Sequence, residues 1–121
     1  MATPYQICLV TVGDEKTASF LAKGLVESSL AACVNIIKET TSFYRWQGKL
    51  EKSSECLLII KTRKILTHDV EQFIKTKHTY TVPEILFVSV DDGSAEYLDW
   101  LGANTIFTVN TPKDKSGKPI L

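Results

Sequence analysis

The stretch from Cys33 to Thr62, CVNIIKETTSFYRWQGKLEKSSECLLIIKT, constrains the chain most. It reads as two strands folded about Gln47-Gly48. Counting outward from a two-residue turn, Trp46 opposes Lys49, Tyr44 opposes Glu51, Thr40 opposes Glu55 and Ile36 opposes Ile59. Each arm then runs about 13 residues, against a usual strand of about 5–6. At about 3.3 Å per residue such an arm reaches ~43 Å, while a domain of ~100 residues has a radius of gyration of only about 13 Å. Half of the hairpin is therefore expected to pair with another chain. Val34 and Ile36 share one parity and Ile37 breaks it, which predicts a bulge or an inter-subunit switch of face near Ile37–Lys38. The tip, Phe43-Tyr44-Arg45-Trp46, is aromatic, and a patch of exposed rings usually marks an interface.

The flanking segments supply the rest of a sheet. Tyr5 to Val12 (YQICLVTV) is a strand, nearly continuous in apolar residues as central strands are. Gly13 ends it, Asp14 is set to cap a helix, and Ala18, Leu21, Ala22, Leu25 and Val26 form its apolar stripe. That helix is expected to end near Ser28–Leu30. After the hairpin, Thr62 or Thr67 caps a second helix with Leu66, Val70, Phe73 and Ile74 inward, running out near Lys77–His78. Val82 precedes Pro83 and is held extended. Ile85 to Val90 is a strand, Ser94 caps a short helix, Gly102 is its stop signal, and Thr105 to Val109 reads as a short last strand. From Thr111 the sequence TPKDKSGKPIL is polar and reads as a mobile tail, 111–121, after a single domain, 1–110.

The order β-α-β-β-α-β, with a short C-terminal helix, predicts an α+β, ferredoxin-like sandwich with an extended hairpin between its second and third strands. Two helices cover one sheet face. Strands 5–12, 56–62 and 85–90 are apolar on both parities, so the second face also calls for cover. A closed oligomer provides it, and on these grounds dimer and trimer are equally served.

The chain has 121 residues, 14 basic and 14 acidic, for a formal net charge of zero. No clustered basic excess exists to hold nucleic acid or an anionic membrane. No apolar run approaches the ~18 residues of a membrane span, and the N-terminus does not read as a signal peptide. The expected setting is cytoplasmic. Cys8, Cys33 and Cys56 each sit in an apolar stretch without C-x-x-C spacing, and read as small buried hydrophobes. No catalytic motif of the G-x-S-x-G, H-E-x-x-H, P-loop or G-x-G-x-x-G kind occurs.

Several segments together resemble one family. LVTVGDEKTASFLAKGLVESSLAACVNII, TSFYRWQGKLEKSSECLLIIKT, HTYTVPEI and YLDWL are similar, in one collinear register over residues 5–103, to the CutA divalent-cation tolerance proteins. That resemblance implies a ferredoxin-like subunit, a compact homotrimer with strand pairing between subunits, an architecture shared with the trimeric PII signal transducers, and a link to copper and other divalent metals. It implies no defined reaction and no organic cofactor. The sequence departs from the family pattern at Thr79 and Thr81, where His-Pro-Tyr-Glu is common. It also departs at Val10 and Lys77, where some bacterial members carry a cysteine and a histidine proposed as copper ligands.

Two sets of candidate residues follow. For a metal, His78 at a helix end and the carboxylate of Glu84 are the candidates, with a copper-type divalent ion as the expected cofactor. His68, ten residues earlier, falls on an offset helix face. For a ligand pocket between subunits, Trp46 from a neighbour's hairpin tip would meet Glu55, Lys61, Tyr80 and Glu84. Tyr80 and Glu84 flank Pro83 in a rigid connection of the kind that lines sites. The expected function is a non-catalytic, homotrimeric binding or signalling protein of divalent-metal tolerance. A small-ligand sensor or enzyme using inter-subunit clefts is the first alternative, and a structural trimer with incidental metal binding the second.

Overall fold

A computed structural model of the chain describes residues 2–106. Four strands and three helices follow one another as β1 (Tyr5–Val12), α1 (Glu15–Glu27), β2 (Cys33–Trp46), β3 (Lys49–Arg63), α2 (Thr67–Lys77), β4 (Ile85–Ser89) and α3 (Ala95–Ala103), with a 3₁₀ turn at Lys64–Leu66 before α2. The strands form one antiparallel sheet in the order β2-β3-β1-β4. This is the ferredoxin-like arrangement the element order predicts. The tail at 111–121, the domain limit at 110 and residues 107–109 of the expected last strand lie outside the described residues. Thr105 and Ile106 are described and are not in a strand.

Alternation builds the core. In β1 every even residue from Gln6 to Val12 is buried and every odd one only partly so. Cys8 pairs with Ile60 and Phe87, and Val10 with Leu58 and Ile85, so these side chains share a face. Ala18, Leu21 and Leu25 of α1 and Val70 and Ile74 of α2 close over that face with no measurable exposure. Each such aliphatic side chain contributes roughly 1.5–3 kcal/mol by leaving water. The opposite parity, Ile7 and Leu9, Leu57 and Ile59, Leu86 and Val88, carries no helix along most of its length. Leu86 and Val88 are half exposed. The run Cys56–Ile60 is thus buried on one face and half-buried on the other.

The hairpin is as long as its sequence predicts, 14 residues in β2 and 15 in β3. Its turn residues Gln47 and Gly48 both have positive φ, 50° and 80°, the backbone of the tight turn whose twist matches two antiparallel strands. Trp46↔Lys49, Tyr44↔Glu51 and Thr40↔Glu55 pair as counted. Ile36 instead faces Leu58, one residue off the expected Ile59. Between Ile37 and Thr40 two residues of β2 oppose one of β3, and Glu39 takes φ 59°. The bulge foreseen at Ile37–Lys38 therefore shifts the register beyond it by one.

Two local expectations are corrected. Neither Thr62 nor Thr67 caps α2: Thr62 Oγ1 donates to the Leu30 carbonyl, and Thr67 Oγ1 donates to that of Lys64. Gly102 does not stop α3, which continues to Ala103. Its carbonyl accepts from the Arg63 guanidinium at 2.9 Å, and a Cβ there would collide with the Tyr5 hydroxyl, so the glycine serves close packing of α3 on β1 and β3.

Candidate functional site

The loop between α2 and β4 is fixed by one histidine. Tyr80 N–H donates to His78 Nδ1 at 3.0 Å, which makes Nδ1 the acceptor nitrogen of the ring. Nε2 then carries the hydrogen and donates to the Thr11 carbonyl at 2.7 Å. The two rings stack tilted, centroids 4.7 Å apart. His78 thus ties the end of α2 to the end of β1 and sets where Tyr80 points.

Tyr80 points at β3. Its hydroxyl donates to Glu55 Oε2 at 2.7 Å. Burial first, and then the bond to the Glu55 carboxylate, push the phenol well above its ordinary value, so it remains a donor. Gly13 leaves the room: a Cβ there would stand 3.1 Å from the Tyr80 oxygen. Glu55 is 7% exposed. It enters no ion pair among the described residues.

Beside this brace lies a cavity of about 610 Å³. Phe43, Tyr44 and Trp46 from the hairpin form one wall, and Thr79, Tyr80, Thr81, Val82 and Glu84 from the loop form another. Thr11, Ser42 and Glu55 complete it. Among the described residues its charged lining residues are Glu55 and Glu84, both acids, and no lysine, arginine or histidine lines it.

The structure brings Trp46, Glu55, Tyr80 and Glu84 together around this cavity, and it does so within one chain. The sequence-based picture had Trp46 arriving from a neighbour. Within the single chain the hairpin tip lines the same cavity as the loop, and what a neighbour's hairpin adds there is a property of the assembly. Lys61 does not belong to the group. It lies six residues along β3 from Glu55, about 20 Å at ~3.3 Å per residue, where its ammonium donates to Asn35 Oδ1 and sits 3.8 Å from Cys33 Sγ. Both ring nitrogens of His78, the sequence's metal candidate, are engaged within the protein, by the Thr11 carbonyl and the Tyr80 amide. Among the described residues no three His, Cys, Asp or Glu side chains converge to hold a metal ion. A copper site of imidazole and carboxylate therefore does not fit this chain's own groups.

Sequence reasoning missed Thr11, Ser42, Thr79 and Thr81 as lining residues and Gly13 as the space for Tyr80. Short polar residues carry no pattern of their own. The placement of Thr79 and Thr81 on either side of Tyr80, just before the Val82-Pro83 step, was the available signal for the threonines.

Comparison with known proteins follows the fold closely. The family model described as CutA1 divalent ion tolerance protein matches residues 6–104. The divalent-cation tolerance protein CutA of Thermus thermophilus is 46% identical over 100 residues, covering 83% of this chain and 97% of that protein. Its solved structure superposes with a TM-score of 0.82 at 45% identity, over 84% of this chain and 99% of the other. The chloroplastic protein CutA of Arabidopsis thaliana is 40% identical over 102 residues, which is 84% of this chain but 56% of the plant protein. The structure described as a periplasmic divalent cation tolerance protein CutA from Archaeoglobus fulgidus matches with a TM-score of 0.80 at 36% identity, over 83% of this chain and 97% of that one. The cytoplasmic setting expected from the sequence is overturned by the last two, since similar chains are described as chloroplastic and periplasmic. Compartment is set by address signals that the fold itself does not contain.

Proposed function

The chain belongs to the CutA1 divalent ion tolerance protein family, and from that membership we propose a non-catalytic, homotrimeric binding protein that takes a cationic ligand in the cavity beneath the hairpin. One observation carries the reading: the cavity's charged residues are two acids, and one of them, Glu55, is nearly buried without a counter-ion among the described residues. The carboxylate accepts a hydrogen bond from Tyr80 but has no opposite charge beside it, and a cation in the cavity supplies one. For a divalent ion the cavity offers oxygen donors only, the Glu55 and Glu84 carboxylates and the threonine and serine hydroxyls. That set suits a hard ion that keeps part of its water shell better than a copper ion seeking imidazole or thiolate. A binding role also suits the brace, in which His78 and Tyr80 are held in place by their hydrogen bonds.

Calorimetric titration with Mn²⁺, Zn²⁺ and Cu²⁺ tests this. Binding is expected to weaken by about tenfold or more, ~1.4 kcal/mol, in Glu84→Gln and to be unaltered in Cys33→Ser. Metal binding indifferent to Glu84→Gln and lost in Cys33→Ser would move the site to the thiol. No metal binding at all would remove the divalent ion as the cavity's ligand.

A further inference from the structure

Resting on the cavity as a cation site, we propose that its preferred ligand is an organic monocation, a small alkylammonium or quaternary ammonium compound. Its charge would lie toward Glu55 and Glu84, and its hydrocarbon part against Tyr44 and Trp46.

Size separates this ligand from a metal ion. A volume of about 610 Å³ falls within the ~300–1,000 Å³ of small-molecule sites, far more than one ion needs even with a few waters. Wall chemistry points the same way. Tyr44 and Trp46 are each 43% exposed and line the cavity opposite the loop that carries Glu84. An aromatic face attracts a weakly hydrated cation and gives little to an anion or to a strongly hydrated divalent ion. The hairpin already shows the preference: the Lys52 ammonium stands 5.6 Å from the centroid of the Phe43 ring. Phe43 is thereby partly satisfied by its own strand partner, which leaves Tyr44 and Trp46 as the rings available to a ligand.

Glu55 supplies the directing charge. Its Oε2 is held by Tyr80. The other oxygen accepts no hydrogen bond among the described residues, and no buried side-chain oxygen there lacks a partner, so that oxygen opens toward solvent-accessible space. A second carboxylate at Glu84, on the exposed rim, adds a long-range pull on cations and repels carboxylate and phosphate ligands. Among the described residues the lining holds no basic side chain to compensate an anion.

The test follows the indole N–H resonance of Trp46 by NMR, distinguished from that of Trp100 by Trp100→Phe. Titrants are butylammonium and tetraethylammonium, with 1-butanol as the neutral match, butyrate as the anionic match and Zn²⁺ as the metal. The ammonium ions are expected to give a saturable shift, weakened by about tenfold or more in Glu55→Gln. The glutamine keeps an oxygen for the Tyr80 hydroxyl, and thermal unfolding confirms that it folds. Equal shifts with butanol or butyrate would overturn the ligand class while leaving the cavity a binding site. A Trp46 shift with Zn²⁺ and none with either ammonium would assign the cavity to the metal alone. If no titrant moves Trp46, both this proposal and the cation-site reading fall.

Discussion

At the scale of single residues, the buried proton carriers set how the fold responds to base. Cys8 lies in the core on β1 with no measurable exposure, and burial first, then the nearby Glu71 carboxylate, push its thiol from 9.0 up to about 12. Cys56 is raised as well, mainly by burial, and Tyr80 by burial and its bond to Glu55. All three shifts have one sign. Above pH 9 the unfolded chain releases protons that the native state keeps, so the stability these groups lend is fully present below pH 9 and drains away as pH rises toward 12. Each fully titrating group contributes a slope of up to about 1.4 kcal/mol per pH unit. Thermal unfolding is therefore expected to fall steeply between pH 9 and 11, and Cys8→Ala should lower the curve at all pH by its cavity but make the alkaline fall shallower. An identical alkaline slope in wild type and variant would remove Cys8 from the account. The residues in this argument were legible to different degrees. That Cys8 is a buried hydrophobe follows from its apolar neighbours in the sequence. That His78 is a brace does not, because its two partners, the Thr11 carbonyl and the Tyr80 amide, are backbone groups, and backbone groups leave no mark in side-chain pattern.

At the scale of elements, the end of α1 shows how far pattern carries and where it stops. The sequence places the helix end near Ser28–Leu30, and the structure ends α1 at Glu27 with a double lock. Ser29 N–H donates to the Val26 carbonyl at 3.1 Å and Leu30 N–H to the Leu25 carbonyl at 3.0 Å, while Leu30 and Leu25 are both buried. This is the helix stop usually built on glycine in the left-handed region, and here Ser29 occupies it at φ 59°. An L side chain in that conformation costs roughly 1–2 kcal/mol, and part of what glycine relieves returns as the extra freedom of the unfolded chain. Ser29→Gly is accordingly expected to raise the unfolding free energy by about 0.5–1 kcal/mol, read as a higher urea midpoint at unchanged slope. A lower midpoint would show that the serine side chain has a contact that outweighs the strain. No periodicity signals such a residue; the sequence shows only that a helical stripe ends. The hairpin teaches the same lesson. Its turn, its outer register and its bulge are all visible in residue types, but the one-residue slip at Ile36 arises because a bulge adds a residue to one strand only. A count that runs straight through it lands one place off.

At the scale of the whole molecule, the sheet has one face closed and one open. α3 docks at the Tyr5–Arg63 end of the open face through Arg63 and Gly102, and the cavity lies at the other end, by Thr11 and Glu55. Between them Leu86 and Val88 remain 54% and 50% exposed, and β2, 14 residues long, is an edge strand with one side unpaired. The sequence announced this by writing apolar residues on both parities of three strands, although nothing in a strand's parity states how many copies meet. Full burial of a Leu or Val yields roughly 1.5–3 kcal/mol, so the exposed halves of Leu86 and Val88 together represent about 1.5–3 kcal/mol per chain awaiting cover. Closing three open faces around one axis buries them and leaves no free end to propagate. The proposed trimer therefore predicts a light-scattering mass of about three times the 13.5 kDa of the chain at micromolar concentration. Leu86→Glu combined with Val88→Glu places two like charges on the face where copies meet, which should give a single-chain mass and a lower melting temperature. Since neither residue belongs to the helix-covered core, the double variant should keep the circular-dichroism spectrum of the wild type. A wild-type protein that scatters as a single chain at that concentration would refute the assembly outright, and a double variant that still scatters at three chains would place the contact elsewhere, on the β2 edge.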